Sequence, residues 1–197
     1  MTHGDFDHTG EAIYLIKKFK VNHLIVPIGF DDSEWGSAIV SLAHQKKVNV
    51  TLLSAGAKIK GQVLTFDVLS PFQIADHKNN NSLVLNSKIG GYDWLFTGDI
   101  EEPLEKELVE KYNLQGIEIL KIAHHGSETS TTEKFLEEIR PVRALISVGE
   151  KNRYGHPSSA VLERLEKYNA IIYQTNKHGS IEFRWQENRG TFYTYPP

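Results

Sequence analysis

The sequence predicts one mixed α/β domain, residues 1–197, in which antiparallel hairpins are set among strand–helix units. Three observations carry this reading. Short β-branched runs alternate with helix-period stretches along most of the chain. No Pro/Gly/Ser-rich linker, repeat or low-complexity tract divides it. Its 197 residues suffice for one sizeable core and are marginal for two.

The elements follow in order. Residues 10–19 carry Ile13, Leu15, Ile16 and Phe19 among polar neighbours, the pattern of a short amphipathic helix. His23 to Ile28 is a compact β-branched strand closed by Pro27 and Gly29. Ser33 caps a helix that runs to about Lys46, and Val48 to Leu53 is the next strand. Ala55 to Gly61 reads as a turn region, followed by Val63 to Leu69 with apolar residues on both faces. The polar loop 76–81 leads into strands Ser82 to Ser87 and Tyr92 to Thr97, joined as a hairpin at Gly90-Gly91. After Gly98-Asp99 an acidic-started helix extends to Tyr112, with Pro103 tolerated in its first turn. Strands Glu118 to Ile122, Arg143 to Val148 and Ala170 to Gln174 are separated by helices near 131–139 and 158–168, and Ser180 to Trp185 with Thr191 to Tyr195 forms a final hairpin.

Composition narrows the chemistry. The absence of cysteine removes disulfides, thiolate metal sites and cysteine nucleophiles, so any metal must be held by nitrogen and oxygen. A net charge of -3 argues against tight, non-specific gripping of duplex DNA, leaving only a local basic patch for that role. No run approaches the roughly 20 apolar residues of a membrane span, and the acidic, His-containing start is unlike a signal peptide.

Four polar groups fall where strands end. His3-Gly4-Asp5-Phe6-Asp7-His8 places four candidate metal ligands in six residues just before a helix. A loop can turn such side chains toward one point, and imidazole with carboxylate suits zinc, manganese or iron. The competing structural reading is an acidic N-cap with scattered surface histidines. Leu95-Phe96-Thr97-Gly98-Asp99 ends an apolar strand in a single carboxylate, which either bridges metals or caps the next helix. Ile122-Ala123-His124-His125-Gly126-Ser127 is again a strand end. On an extended chain the two histidines point apart, so one would ligate while the other faces substrate or a supporting partner. Arg153-Tyr154-Gly155-His156-Pro157 offers a further loop histidine. His23, His44, His77 and His178 sit in no such context and read as structural or solvated.

The order of these motifs resembles the metallo-β-lactamase superfamily, most closely the C-terminal domain of ComEC-type competence proteins, which act in DNA uptake. The resemblance rests on Thr2-His3-Gly4-Asp5-Phe6-Asp7-His8-Thr9-Gly10, Asn81-Ser82-Leu83-Val84-Leu85, Phe96-Thr97-Gly98-Asp99, His124-His125-Gly126-Ser127 and Asn152-Arg153-Tyr154-Gly155-His156-Pro157. It spans nearly the whole chain, to the turn at Asn176 and Gly179.

The resemblance implies an αββα sandwich lacking its first strands. It also implies two divalent ions: His3 and Asp5 facing one, Asp7 and His8 the other, Asp99 bridging, and His125 and His156 completing the shells. Asp5 stands where the superfamily commonly has histidine, as in the competence branch. Asn81 or Asn80 falls where many members have a further histidine ligand, which shifts the expected ion from zinc toward manganese. The implied reaction is metal-assisted hydrolysis of a DNA phosphodiester, with Asp7 orienting water and His124 stabilising phosphoryl charge. Asn81, Ser127, Lys121, Lys151 and Arg153 are candidate substrate contacts. Family domains carry further strands before the first motif, so the chain is expected to be N-terminally truncated. An exposed sheet edge would then invite a homodimer. The parent protein is expected to carry a membrane channel, with this domain on the outer side of a bacterial membrane. Two alternatives stay open at this level: a small-molecule phosphodiesterase or lactonase of the same fold, and a degenerate, non-catalytic domain binding DNA or partner subunits.

Overall fold

The computed structural model describes residues 1–196. Its centre is a seven-stranded sheet made of β3 (Lys58–Lys60), β4 (Thr65–Ser70), β5 (Val84–Ile89), β6 (Tyr92–Phe96), β7 (Ile119–Lys121), β8 (Arg143–Ile146) and β9 (Ile171–Gln174), in that spatial order. The β3–β6 half is antiparallel and the β6–β9 half parallel. The parallel half is wound through α4 (Glu102–Lys111), α5 (Glu133–Ile139) and α6 (Ser159–Lys167), as parallel neighbours require crossover connections.

Alternation along the central strands divides the core. Leu95, Leu120, Ala144 and Ile146 face the helices and pack on Leu104, Leu108, Phe135, Leu136, Val161 and Leu165. Trp94, Phe96, Ile119 and Leu145 face the other way, against Phe183 and Phe192 of the antiparallel hairpin β10 (Ser180–Gln186) and β11 (Arg189–Tyr195). A third cluster lies under β1 (His23–Pro27) and β2 (Asn49–Leu53). These are parallel strands joined through α3 (Glu34–Gln45) and covered by α3 and α2 (Ala12–Lys18), with Leu24, Val26, Ile39 and Ala43 at its centre.

The expected α/β class stands, with a large sheet, a helix layer and strand pairs beyond it. The hairpin turn falls at Gly90-Gly91, where Ile89 pairs with Tyr92 and both glycines have positive φ, as a two-residue turn of this type demands. The helix cap expected at Ser33 forms, its hydroxyl accepting from Gly36 N at 3.0 Å; Ser158 likewise accepts from Val161 N at 3.3 Å at the start of α6. Differences are local. The region read as a turn contains β3, an edge strand too short and too charged to show a period. The 10–19 helix is preceded by a separate short one, α1 (Phe6–Thr9), and α7 (Thr175–His178) follows β9 directly.

Candidate metal centre

The site forms where the C-terminal ends of β6 and β7 meet the opening loop. Gly98 has φ +58, and a Cβ there would lie 2.8 Å from Ser82 Cβ, so the chain turns tightly against Ser82. Ser82 Oγ accepts from Asp99 N at 3.1 Å, Thr97 Oγ1 donates to Lys121 O at 2.6 Å, and Gly98 O accepts from His124 N at 3.1 Å. Both strand ends are thereby tied together. Leu83 N donates to Thr2 O at 2.8 Å, which brings the first residues onto the same edge.

Four side chains converge. Asp99 Oδ2 lies 3.2 Å from His8 Nε2 and 3.5 Å from His125 Nε2; Asp7 Oδ2 lies 3.2 Å from His125 Nε2 and 3.7 Å from His8 Nε2; the two imidazole nitrogens are 3.3 Å apart. A cation bonded at about 2.1 Å in tetrahedral geometry sets its donors roughly 3.4 Å apart, so this constellation fits a metal ion. His3 adjoins it, its Nε2 3.9 Å from Asp99 Oδ2 and 3.8 Å from Asp5 Oδ2. His3 Nε2 and Asp99 Oδ1 are buried with no hydrogen-bond partner. Orphaned atoms of this kind are uncommon in a folded interior and are expected of groups awaiting a ligand.

Electrostatics follow the geometry. Burial pushes the Asp99 carboxyl up, but the hydrogen bond from His8 and the charges of His8, His125 and His3 outweigh it and hold it at about 2. Burial opposes charging of His8 as well, yet the Asp99 contact raises its pKa. His3 is lowered, first by burial and then by the charge of His8.

His124 and His125 both occupy the left-handed region, φ +47 and +54, followed by Gly126 at +85. They form a tight turn and not an extended strand end, and the turn sends the two rings to different neighbours. His125 faces the cluster, with Nδ1 fixed by Ser147 O at 2.8 Å, and His124 turns toward Glu101, Nδ1 to Oε1 3.4 Å. Left-handed non-glycine residues are costly and cluster at functional sites. His156 does not join the four donors. Its ring is 5.8 Å from that of His124 and is stacked at 5.8 Å by exposed Tyr154, while Asn152 bonds both backbone polar groups of His156. Burial, then the charges of His124 and His125, lowers its pKa.

Asn81 lines a cavity beside His3 and Asp5, but its amide is engaged on both atoms with the Ala75 backbone, at 2.7 and 3.0 Å. Asn80 accepts from Glu101 N at 2.9 Å. Both asparagines therefore brace loops, and the amide of Asn81, expected to contact substrate, is engaged within the protein. Ser127 is buried and shares a hydrogen bond with Thr129 Oγ1 at 3.0 Å, while Lys151 and Arg153 are exposed on the loop leading to His156. Lys121 is half-buried, its ammonium donating to Ile122 O at 2.8 Å; burial brings its pKa down to about 8 against the opposing charge of Asp99.

Glu101 is the residue that sequence reasoning missed. Its carboxylate takes Asn79 Nδ2 and Thr129 Oγ1, each at 3.2 Å, and stands beside His124 and His77. A helix-start acid looks the same in sequence whether it caps or supports a site. A cavity of about 740 Å³ opens beside Glu118 and Val142 at the opposite ends of the parallel strands and holds none of these groups.

The family model described as the metallo-beta-lactamase superfamily matches residues 1–150. The chain is 38% identical over 199 residues to ComE operon protein 3 of Bacillus subtilis, covering all of this chain and 26% of that protein. It is 30% identical to Recombination protein 2 of Haemophilus influenzae, over 96% of this chain and 22% of that one. It is 37% identical to competence protein ComA of Neisseria gonorrhoeae, over 53% and 15% respectively. The chain thus spans about a quarter or less of the length of these relatives. Among the described residues, no helix is long and apolar enough to cross a membrane.

Proposed function

The chain belongs to the metallo-β-lactamase superfamily, and from that premise we propose that it hydrolyses phosphodiester bonds with divalent metal, as the DNA nuclease domain of a competence DNA-uptake protein. The observation that carries this reading is the convergence of Asp7, His8, Asp99 and His125 on one point, with the orphaned His3 Nε2 beside it. The first four would hold one ion; His3 and Asp5, sharing Asp99, would hold a second. When bound, manganese or zinc supplies Lewis acidity toward a phosphoryl oxygen and acidifies water.

The protein's own groups do the rest. Asp7, the most exposed of the four, has an oxygen free to orient an attacking water. His124, with Nδ1 3.4 Å from Glu101 Oε1, stands outside the four converging side chains and is the group to donate to phosphoryl oxygen. Lys151, Arg153 and Ser127 lie on the two loops that flank it, with Asn81 across the centre on a cavity wall. The same reading places this domain on the outer face of a longer protein with a membrane channel; the relatives, of which the chain spans about a quarter or less, support the competence context alone. A homodimer through a free strand edge of the β1–β2 pair belongs to the same reading.

The test is cleavage of single-stranded and duplex DNA in manganese and in zinc, alongside metal titration. Expected is metal-dependent cleavage that Asp99→Ala lowers by at least a hundredfold, with loss of bound metal. Hydrolysis confined to small phosphodiesters would shift the assignment to a small-molecule hydrolase, and absence of metal uptake would make this a binding domain.

A further inference from the structure

Next to the metal centre lies a cavity of about 360 Å³ that the reaction does not account for. It is lined by His3 and Asp5 and by the apolar Phe30, Trp35 and Ile74, with Lys78 contributing a cation and Asp32 a carboxylate. Trp35 is fixed in place: its indole N–H donates to Thr9 Oγ1 at 2.9 Å, and Thr9 donates to Asp5 O at 2.8 Å. The aromatic wall is therefore tied to the loop that carries the ligands. Gly29, at φ +74, lets Ile74 pack close against the backbone, since a Cβ there would press on Ile74 at 3.1 Å. Ile74 is 55% exposed although apolar, and Lys78 is exposed with no acidic partner among the described ion pairs.

We propose that this cavity receives one unpaired nucleobase of the DNA strand whose phosphate lies at the metal centre, so that the substrate is single-stranded at the point of cleavage. The inference rests on the phosphodiesterase reading. Three features lead to it. The cavity is at the small end of the range for ligand sites and has room for one nucleobase. A pre-fixed indole with apolar neighbours is a stacking surface, which any base satisfies because every base has a π-face. The shared wall of His3 and Asp5 puts base and phosphate within one nucleotide of each other. A base inside a duplex is already stacked and paired, and must leave the helix before it can enter.

Fluorescence anisotropy with labelled dT12 and a duplex of equal length tests this, using phosphorothioate backbones that resist cleavage and manganese in the buffer. The single strand should bind at least tenfold tighter than the duplex, and the Trp35 indole N–H resonance should move on adding dT12. Ile74→Asp should weaken dT12 binding about tenfold, the scale of one lost base–aromatic stack. Lys78→Glu, also at an exposed position, gives the same readout should Ile74→Asp fail a thermal-melt check of folding. Equal affinity for the duplex, or dT12 affinity within twofold of wild type in the folded variant, would overturn the proposal. No cleavage is measured, so the two readings fail separately: selective binding without hydrolysis sinks only the enzyme, and hydrolysis without selective binding sinks only the pocket.

Discussion

Gly126 shows how much of the site rests on single positions. A Cβ there would meet Pro157 Cβ at 2.6 Å, and its φ of +85 is one that side chains resist. It thus permits both the turn that aims His124 and His125 and the approach of the 152–157 loop, whose Ser158 N donates to Gly126 O at 2.9 Å. Gly116 has a similar φ of +90 but open space around it. The pair separates conformational cost from crowding. Gly116→Ala should cost about 1 kcal/mol, from the left-handed backbone alone. Gly126→Ala should cost about 2–4 kcal/mol, because overpacking adds to it. Urea unfolding measures both, and metal affinity should fall only for Gly126→Ala. The glycine was visible in the sequence; its contact with Pro157 was not, because the two are distant along the chain.

At the scale of elements, the loop between Gly126 and α5 is held by a buried acid. Glu105 on α4 accepts from Thr131 N and, at 2.9 Å, from Thr132 N, at the start of α5. Arg164 of α6 donates to Thr131 O at 2.8 Å from the other side. Three helices therefore meet on a segment that begins at the histidine turn. Glu105→Ala leaves two buried N–H groups without acceptors and should cost about 2–4 kcal/mol by denaturant unfolding. Burial, against those hydrogen bonds, raises the Glu105 pKa above its ordinary 4.5. A carboxyl whose folded pKa is raised penalises folding at neutral pH, and the penalty is relieved as pH falls toward 4.5. Wild type should therefore gain stability relative to Glu105→Gln between pH 7.5 and pH 5, and a constant difference would contradict the assignment. Element existence was legible for the parallel half, where long apolar runs alternate with capped helices. It failed at β3, whose strand character comes from pairing with β4 and not from its own Lys58-Ile59-Lys60.

At the scale of the whole molecule, the four candidate metal ligands come from segments far apart in the chain. Asp7 and His8 belong to the part built around β1, β2, α2 and α3; Asp99 and His125 belong to the edge of the large sheet. The hydrophobic clusters of these two parts share no buried residue. What joins them near the site is the Leu83–Thr2 backbone bond, the Met1 amine on Ile25 O, and the ligand cluster itself. That is why the motif order, His125 included, was readable from sequence while the distances among the loops, which leave His156 outside the four converging side chains, were not: periodicity reports which face a residue takes, not which of two neighbouring loops reaches across. An ion bound by the four would clamp the two parts together. An ion at a hundredfold excess over its Kd stabilises the folded state by about 2.7 kcal/mol, which for a chain of this size raises the melting midpoint by roughly 5–10 °C. Manganese or zinc should produce that shift in wild type, EDTA should reverse it, and Asp99→Asn should abolish it. Amide exchange should slow on both sides of the cluster, in β1–β2 as well as at the ends of β6 and β7. Slowing confined to the large sheet would mean that the opening loop does not ligate, and that the two parts are held together without the metal.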